Sequence, residues 1–314
     1  MSVIDHTVGF FGECMIELKG NPATGIRQGY AGDTLNTALY FNRLVRNKGI
    51  DTHYITALGT DAFSDHMVAF WQSEHIKTDF VLRDPSRLPG IYAIAVDENG
   101  ERQFSYWREQ SAAKFYFEGI LDSPTFRALS RLQALYLSGI SLAILPTAGR
   151  ARLLELLRAI KANGGAIYFD NNFRPKLWQD YNSAKTLYSQ VLALADIALL
   201  TLDDEHALFG ASTAEAVLTR LAPLAIPEIV IKQGAGPCVV KAAKRVHKVD
   251  AVAVAKPVDT TAAGDSFGAA YLACRLLGGS VEAAASAGHR LAAAVIQHEG
   301  AILPEQKMRG FGLL

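Results

Sequence analysis

Cysteine is scarce in this chain: Cys14, Cys238 and Cys274 are the only three in 314 residues. They are odd in number and no two stand at metal-ligand spacing. That excludes a disulfide framework and a cysteine zinc site, and it suits a reducing compartment. An excess of either charge is also missing, with 31 Lys and Arg against 31 Asp and Glu. No electrostatic footprint for nucleic acid or an anionic membrane surface results. No uncharged apolar run approaches the ~20 residues of a membrane span. Met1 is followed by Ser-Val-Ile-Asp-His, without a basic and then apolar leader, so no signal peptide is expected. The eight histidines show no ligand spacing, and there is no Gly-x-Ser-x-Gly elbow, Cys/His pairing or Walker A sequence. Internal repeats, low-complexity tracts and linkers are absent too. What remains is a cytoplasmic globular protein, half apolar, read as one domain over residues 1–314.

The most informative stretch present is Asp259-Thr260-Thr261-Ala262-Ala263-Gly264-Asp265-Ser266-Phe267. Apolar residues at helical spacing follow (Phe267, Ala270, Tyr271, Cys274, Leu277), up to Gly278-Gly279. Ala262, Ala263 and Gly264 therefore open a helix, where unpaired N–H groups and the positive end of the dipole make an anion site. Asp265 lies in the same turn. Beside an anion site a carboxylate suits a general base that deprotonates a hydroxyl attacking phosphate. A favourable first-turn acid is the plainer alternative.

Thr7–Leu18 reads as a strand interrupted at Gly12, followed by a polar stretch to Tyr30. Ala31–Asn36 opens a helix to about Arg46, with Asp33 or Thr34 as its N-cap. Thr52–Leu58 is a β-branched strand, and a helix follows to about Glu74. Residues 91–96 and 103–108 flank Asp97-Glu98-Asn99-Gly100, a strong hairpin signal. From Leu132 strands and helices alternate, the strands ending at Ser138, Asp170, Thr201 and Lys232. The expected fold class is α/β: an open, mostly parallel sheet with helices on both faces. The hairpin would stand off that core in a small β lid, formed by parts of 12–34 and 90–110.

Ligands of such sheets bind beyond the carboxyl ends of the strands. Collected there are Asp170-Asn171-Asn172-Phe173-Arg174, the acidic Asp203-Asp204-Glu205, the turn Lys232-Gln233-Gly234-Ala235-Gly236, and Asp259–Asp265. The glycine turn leads into a strand rather than a helix, so it is not a dinucleotide fingerprint. It would lie along a nucleotide or be a plain hairpin. The acids would hold Mg²⁺ or merely open a helix. On the lid, alternation puts Phe104, Tyr106 and Arg108 on one face. Arg108 and Arg174 together offer paired donors for a carboxylate.

These residues resemble the ribokinase-like (pfkB) carbohydrate kinases over essentially the whole chain, and most the branch acting on 2-keto-3-deoxygluconate. The family's Asp-Thr-x-Gly-Ala-Gly-Asp-x-Phe is here Asp259–Phe267, with Ala262 replacing one glycine. Its N-terminal glycine signature is similar to Ala31–Ala38, followed by Leu58–Ser64. Asp170-x-Asn172-x-Arg174 and Lys232-x-Gly234-x-x-Pro237 fit as well. Its Asn-x-x-Glu is here Leu202-Asp203-Asp204-Glu205, so only Glu205 carries over, with Asp203 or Asp204 available to substitute for the asparagine.

The resemblance implies an ATP- and Mg²⁺-dependent kinase phosphorylating the C6 hydroxyl of a sugar acid, with Asp265 as base. Ala262, Ala263 and Gly264 would form the anion hole. ATP would meet Asn172, Lys232, Gly234, Gly236, Pro237 and Gly264, and Glu205 would serve the metal indirectly. The sugar acid would contact Gly32, Asp33 and Asn36 from the body, Tyr92, Tyr106 and Arg108 from the lid, and Arg174. A kinase for a neutral sugar such as fructose, or a sugar sensor without turnover, are the alternatives. An apolar hairpin (Ile91, Ala93, Val96, Trp107) is hard to cover alone, so lid-to-lid pairing in a homo-oligomer is expected.

Overall fold

The computed structural model describes residues 6–21, 24–96, 102–118 and 123–313. The first hydrophobic segment is two strands, not one with a flaw. The first, β1 (His6–Phe11), lies in the main sheet, while β2 (Met15–Asn21) belongs to another. At Gly12 an added Cβ would stand 2.2 Å from Thr34 Oγ1, so glycine lets the chain pass between the two layers. The polar stretch that follows is also a strand, β3 (Gly25–Ala31), because its N–H and C=O groups pair with β2 from Met15↔Ala31 to Asn21↔Gly25. Composition alone hid it. Next come α1 (Asp33–Val45), β4 (Ile50–Leu58), α2 (Ala62–Ser73) and the short β5 (Val81–Arg83). The N-cap of α1 is Gly32 rather than Asp33 or Thr34, and no side chain caps it. The Asp33 carboxylate is thereby left for the cleft.

The hairpin is β6 (Ile91–Val96) and β7 (Arg102–Trp107), paired antiparallel, and its turn lies outside the described residues. After it come α3 (Pro124–Leu129), β8 (Ala134–Ser138), α4 (Gly139–Ile144), α5 (Thr147–Ala162) and β9 (Ala166–Asp170). Then follow α6 (Tyr181–Leu192), β10 (Ile197–Thr201), α7 (Leu202–Phe209), α8 (Ala214–Leu221) and β11 (Glu228–Lys232). The chain closes with β12 (Cys238–Ala242), β13 (Arg245–Val249), α9 (Ala263–Leu276) and α10 (Val281–Val295).

Nine strands form the main sheet in the order β13-β12-β11-β10-β9-β8-β1-β4-β5, with only β12 running against the others. Alternation along its strands feeds two cores. Leu135, Leu137, Ile167, Phe169, Leu200 and Ile231 face one, with α5, α6 and α8. Val8, Phe10, Tyr136, Leu199 and Val230 face the other, with α1, α9 and α10. A second sheet, ordered β3-β2-β6-β7, stands apart. Its middle pairing, β2 with β6, is parallel and joins Ile16 to Ile91. No helix among the described residues is long and apolar enough to cross a membrane.

Candidate active site

The carboxyl ends of β9, β10 and β11, the start of α9 and the inner face of the small sheet enclose a cleft of ≈ 800 Å³. Asp265 stands in the first turn of α9 and accepts a hydrogen bond from Asn36 Nδ2 at 2.8 Å. Burial and the nearby Asp33 carboxylate push Asp265 up to about 7, while the Asn36 amide and Lys232 oppose the shift. A carboxyl titrating near neutrality is tuned for proton transfer at working pH. Burial likewise raises Asp33, whose Oδ2 accepts from Asn172 Nδ2 at 2.6 Å. The Oδ1 of Asn36 is buried without a partner among the described residues. It is an acceptor waiting for a donor such as a sugar hydroxyl.

The loop before α9 is shaped by Asp259. Its Oδ1 accepts from Thr261 N at 3.0 Å and Thr261 Oγ1 at 2.7 Å, and its Oδ2 accepts from Gly300 N at 3.0 Å. Ala262, the N-cap of α9, is left-handed at φ 60°. A methyl there costs about 1–2 kcal/mol, so the glycine of the family pattern is the relaxed residue at this point. Ala263 N donates to Thr260 O at 3.3 Å, and Gly264, next in a first turn whose N–H groups have no helical partner, lines the cleft.

Other expected residues fall in several places. Gly32, Asp33, Asn36, Tyr92, Tyr106, Arg174, Asn172, Lys232, Gly234 and Gly264 all line the cleft. Gly236 and Pro237 complete the β11–β12 turn, with Gly236 N donating to Gln233 O at 2.9 Å, but are not in the lining. Tyr92 and Tyr106 stack at 5.9 Å, and Phe104 stacks on Tyr106 at 6.4 Å. The Tyr92 hydroxyl donates to Glu17. Arg174, half exposed, lies 3.8 Å from Asp204.

Arg108 and Glu205 are placed differently from the rest. Arg108 follows β7 rather than extending it, is buried, and its Nη2 donates to Glu13 instead of lining the cleft. Glu205 is buried between Arg220 Nη2 and Asn171 Nδ2, also off the lining. Its neighbours Asp203 and Asp204 do line the cleft. Burial pushes Asp204 up to about 6, with Arg174 opposing.

Sequence reasoning gave Glu13 no role. Its only signal is a buried acid beside Gly12, where the chain enters the small sheet, and Arg108 is where it leaves. Lys19 was equally silent: from β2 it reaches Glu299 at 3.0 Å and Asp259 at 3.9 Å, tying the small sheet to the α9 loop.

Residues 5–308 match the pfkB family carbohydrate kinases. The chain belongs to that family. The 2-dehydro-3-deoxygluconokinase of Dickeya dadantii is 49% identical to this pfkB chain over 304 residues, covering 96% of it and 98% of the relative. The fructokinase of Vibrio alginolyticus is 27% identical, over 84% of this chain and 82% of its own. Among solved structures, the ATP-bound fructokinase of Xylella fastidiosa superposes with a TM-score of 0.82 at 22% identity, covering 95% of this chain and 94% of that one. The pfkB chain thus has the ribokinase-like α/β fold, with a large mostly parallel sheet and a small separate one.

Proposed function

We propose that this pfkB kinase transfers the γ-phosphoryl group of ATP to the C6 hydroxyl of 2-keto-3-deoxy-D-gluconate, giving 2-keto-3-deoxy-6-phosphogluconate. The observation that carries the phosphoryl-transfer reading is Asp265, a carboxyl tuned to about 7 at the amide-lined start of α9. A sugar sensor would gain nothing from a base aimed at an anion site. The substrate choice rests on 49% identity to a 2-dehydro-3-deoxygluconokinase against 27% to a fructokinase, and on Arg174 at the cleft.

In this mechanism ATP lies along the Lys232–Pro237 turn, with Asn172 near its phosphates. The sugar acid packs under Tyr92 and Tyr106, against Gly32, Asp33 and Asn36. Arg174 meets its carboxylate, and Arg108 does so once drawn from Glu13. Asp265 takes the C6 hydroxyl proton while the Ala262–Gly264 segment steadies the phosphoryl group. The small sheet, within 12–34 and 90–110, acts as a lid on the single kinase domain and keeps water from competing.

Mg²⁺ is the expected companion of ATP. Such a cation keeps most of its own waters, so the protein's share of its ligands would be small. Asp203 and Asp204 fit that share, since both line the cleft and burial raises Asp204 despite Arg174 and Lys232 nearby. Glu205 would act only through Asn171 and the α7 backbone. When bound, the ion would supply charge neutralisation at the nucleotide's phosphates.

A panel of sugars tests the substrate. We expect kcat/KM for 2-keto-3-deoxygluconate to exceed that for fructose or ribose by roughly 10–100-fold, the worth of a charge-assisted contact. Equal turnover of a neutral sugar would remove the sugar-acid assignment. A homo-oligomer through the lid belongs to the same proposal. Trp107 and Ile26 are both exposed there, Trp107 at 61%, and β3 and β7 are open edges. Sedimentation at micromolar concentration should find more than a monomer; a lone monomer would contradict it.

A further inference from the structure

The cleft is an odd place to receive a polyphosphate. Its lining carries five aspartates but only Arg174 and Lys232 as permanent cations. Arg174 is half exposed and sits beside Asp204. Lys232 is 8% exposed and points inward. From the last residue of β11 it reaches over the end of β10 to Asp170, the last residue of β9, with Nζ 2.7 Å from Oδ2. The ammonium also stands beside the first turn of α9: a Cβ placed on Gly264 would be 3.5 Å from it.

That position is electrostatically wrong for an empty protein. Cations stabilise helix C-termini and are repelled by the positive N-terminal end. The buried ammonium lies against the opening turn of α9, where an arriving anion would meet both the lysine and the positive end of the helix. Asp170 serves as the ammonium's counterion meanwhile, because a lone buried charge is costly. A role limited to neutralising Asp170 would not require the lysine to lie against Gly264.

We propose that Lys232 is a catalytic residue whose ammonium turns from Asp170 to the phosphoryl group in transfer at the start of α9. The proposal rests on the phosphoryl-transfer reading above and extends it. The bond formed runs from the sugar C6 oxygen to the γ-phosphorus. The bond broken joins that phosphorus to the β,γ-bridging oxygen, whose electron pair leaves with ADP, and the hydroxyl proton goes to Asp265. Lys232 exchanges no atom. It adds positive charge on the equatorial oxygens, beside the amides, where negative charge collects.

The test compares wild type, Lys232→Met and the double variant Lys232→Met/Asp170→Asn in the full chain. Read for each are kcat, the sugar KM and the acid limb of the kcat/KM profile. Groups facing Asp265 are Asp33 and Asn36 from α1, Asp170 from β9 and Lys232 from β11. Lys232 lowers the Asp265 pKa and Asp170 raises it. Lys232→Met should therefore cut kcat ~100-fold or more, in the range of a lost electrostatic stabiliser, leave sugar KM within about 3-fold, and move the acid limb to higher pH. In the double variant the two charges leave together, so the limb should return toward wild type while kcat stays low. Recovery of kcat in the double variant would mean that the lysine only neutralises a buried acid, and overturns the proposal. Near-wild-type kcat in Lys232→Met does the same. If wild type prefers a different sugar, the substrate assignment falls and the same three-way comparison on that sugar decides Lys232. If it phosphorylates none, both readings fall.

Discussion

Asp265→Asn is expected to lower kcat by about 10³-fold, within the range of general-base catalysis, while ATP still binds. The amide keeps the shape of the carboxylate and can still accept from Asn36, so geometry survives and basicity does not. The same substitution should stabilise the protein at alkaline pH. Burial raises Asp265 from 3.8 to about 7 in the folded chain, so folding favours its protonated form. Its contribution is fully present below pH ~4 and is lost as pH rises through ~7. Asparagine cannot ionise, so its advantage over aspartate grows as pH rises from ~4 to ~7 and levels off above that. At pH 8 the variant's Tm should exceed wild type by roughly 2 °C or more, since each kcal/mol is worth about 2–4 °C in a chain of this order. At pH 4 or below the gap should close. Calorimetry at the two values, with initial rates, checks both halves. Undiminished kcat would place the base elsewhere. A kcat loss accompanied by lower stability at pH 8 would mean structural damage instead.

Gly32→Ala is expected to be nearly as severe for a different reason. Gly32 is extended, at φ −179°, so its own dihedrals tolerate a side chain. The obstacle is space, because an added Cβ would stand 2.1 Å from the Glu13 carbonyl oxygen and 3.2 Å from Cys14 Cα. Backbone cannot rotate away as a side chain can, so α1 must shift from the 12–14 segment. That displaces Asp33 and Asn36, which hold Asn172 and Asp265. A displacement near 1 Å at such a site costs about 10²-fold, and overpacking costs about 1–3 kcal/mol. We expect kcat/KM for the sugar acid to fall ~100-fold, with a lower Tm and ATP affinity changed little. Ordinary kinetics in the variant would show that the 12–14 segment yields more freely than this packing implies.

Much of the body was legible because its strands are buried on both faces and its helices are capped. Asp61 accepts from Ser64 N and Thr213 from Ala216 N. Such short-range marks survive in sequence. The ends of β8–β11 were legible because their last residues turn polar. Strand β3 was not, since an exposed edge in Gly-Ile-Arg-Gln-Gly carries no hydrophobic alternation, and only its pairing with β2 defines it. In the site, Asp265 and the residues beside it could be placed because they are neighbours along the chain. Long-range pairings could not. Nothing near Arg108 in sequence announces Glu13, and nothing near Glu205 announces that Arg220 and Asn171 take its carboxylate.

The parallel pairing of β2 with β6 has a consequence for the order in which the protein folds. Ile16 meets Ile91 only after α1, β4 and α2 have been laid between them. Neither hairpin alone, β2–β3 or β6–β7, has a partner to cover it, and two-stranded hairpins are marginal in water. Closing so long a loop is costly until the main sheet has brought its ends together. The small sheet is thus a late-forming part that borrows its stability from the body, and it should be the first to open under denaturant. Under the proposed lid role, such a late-forming element would couple ligand occupancy to the survival of the least stable region of the chain.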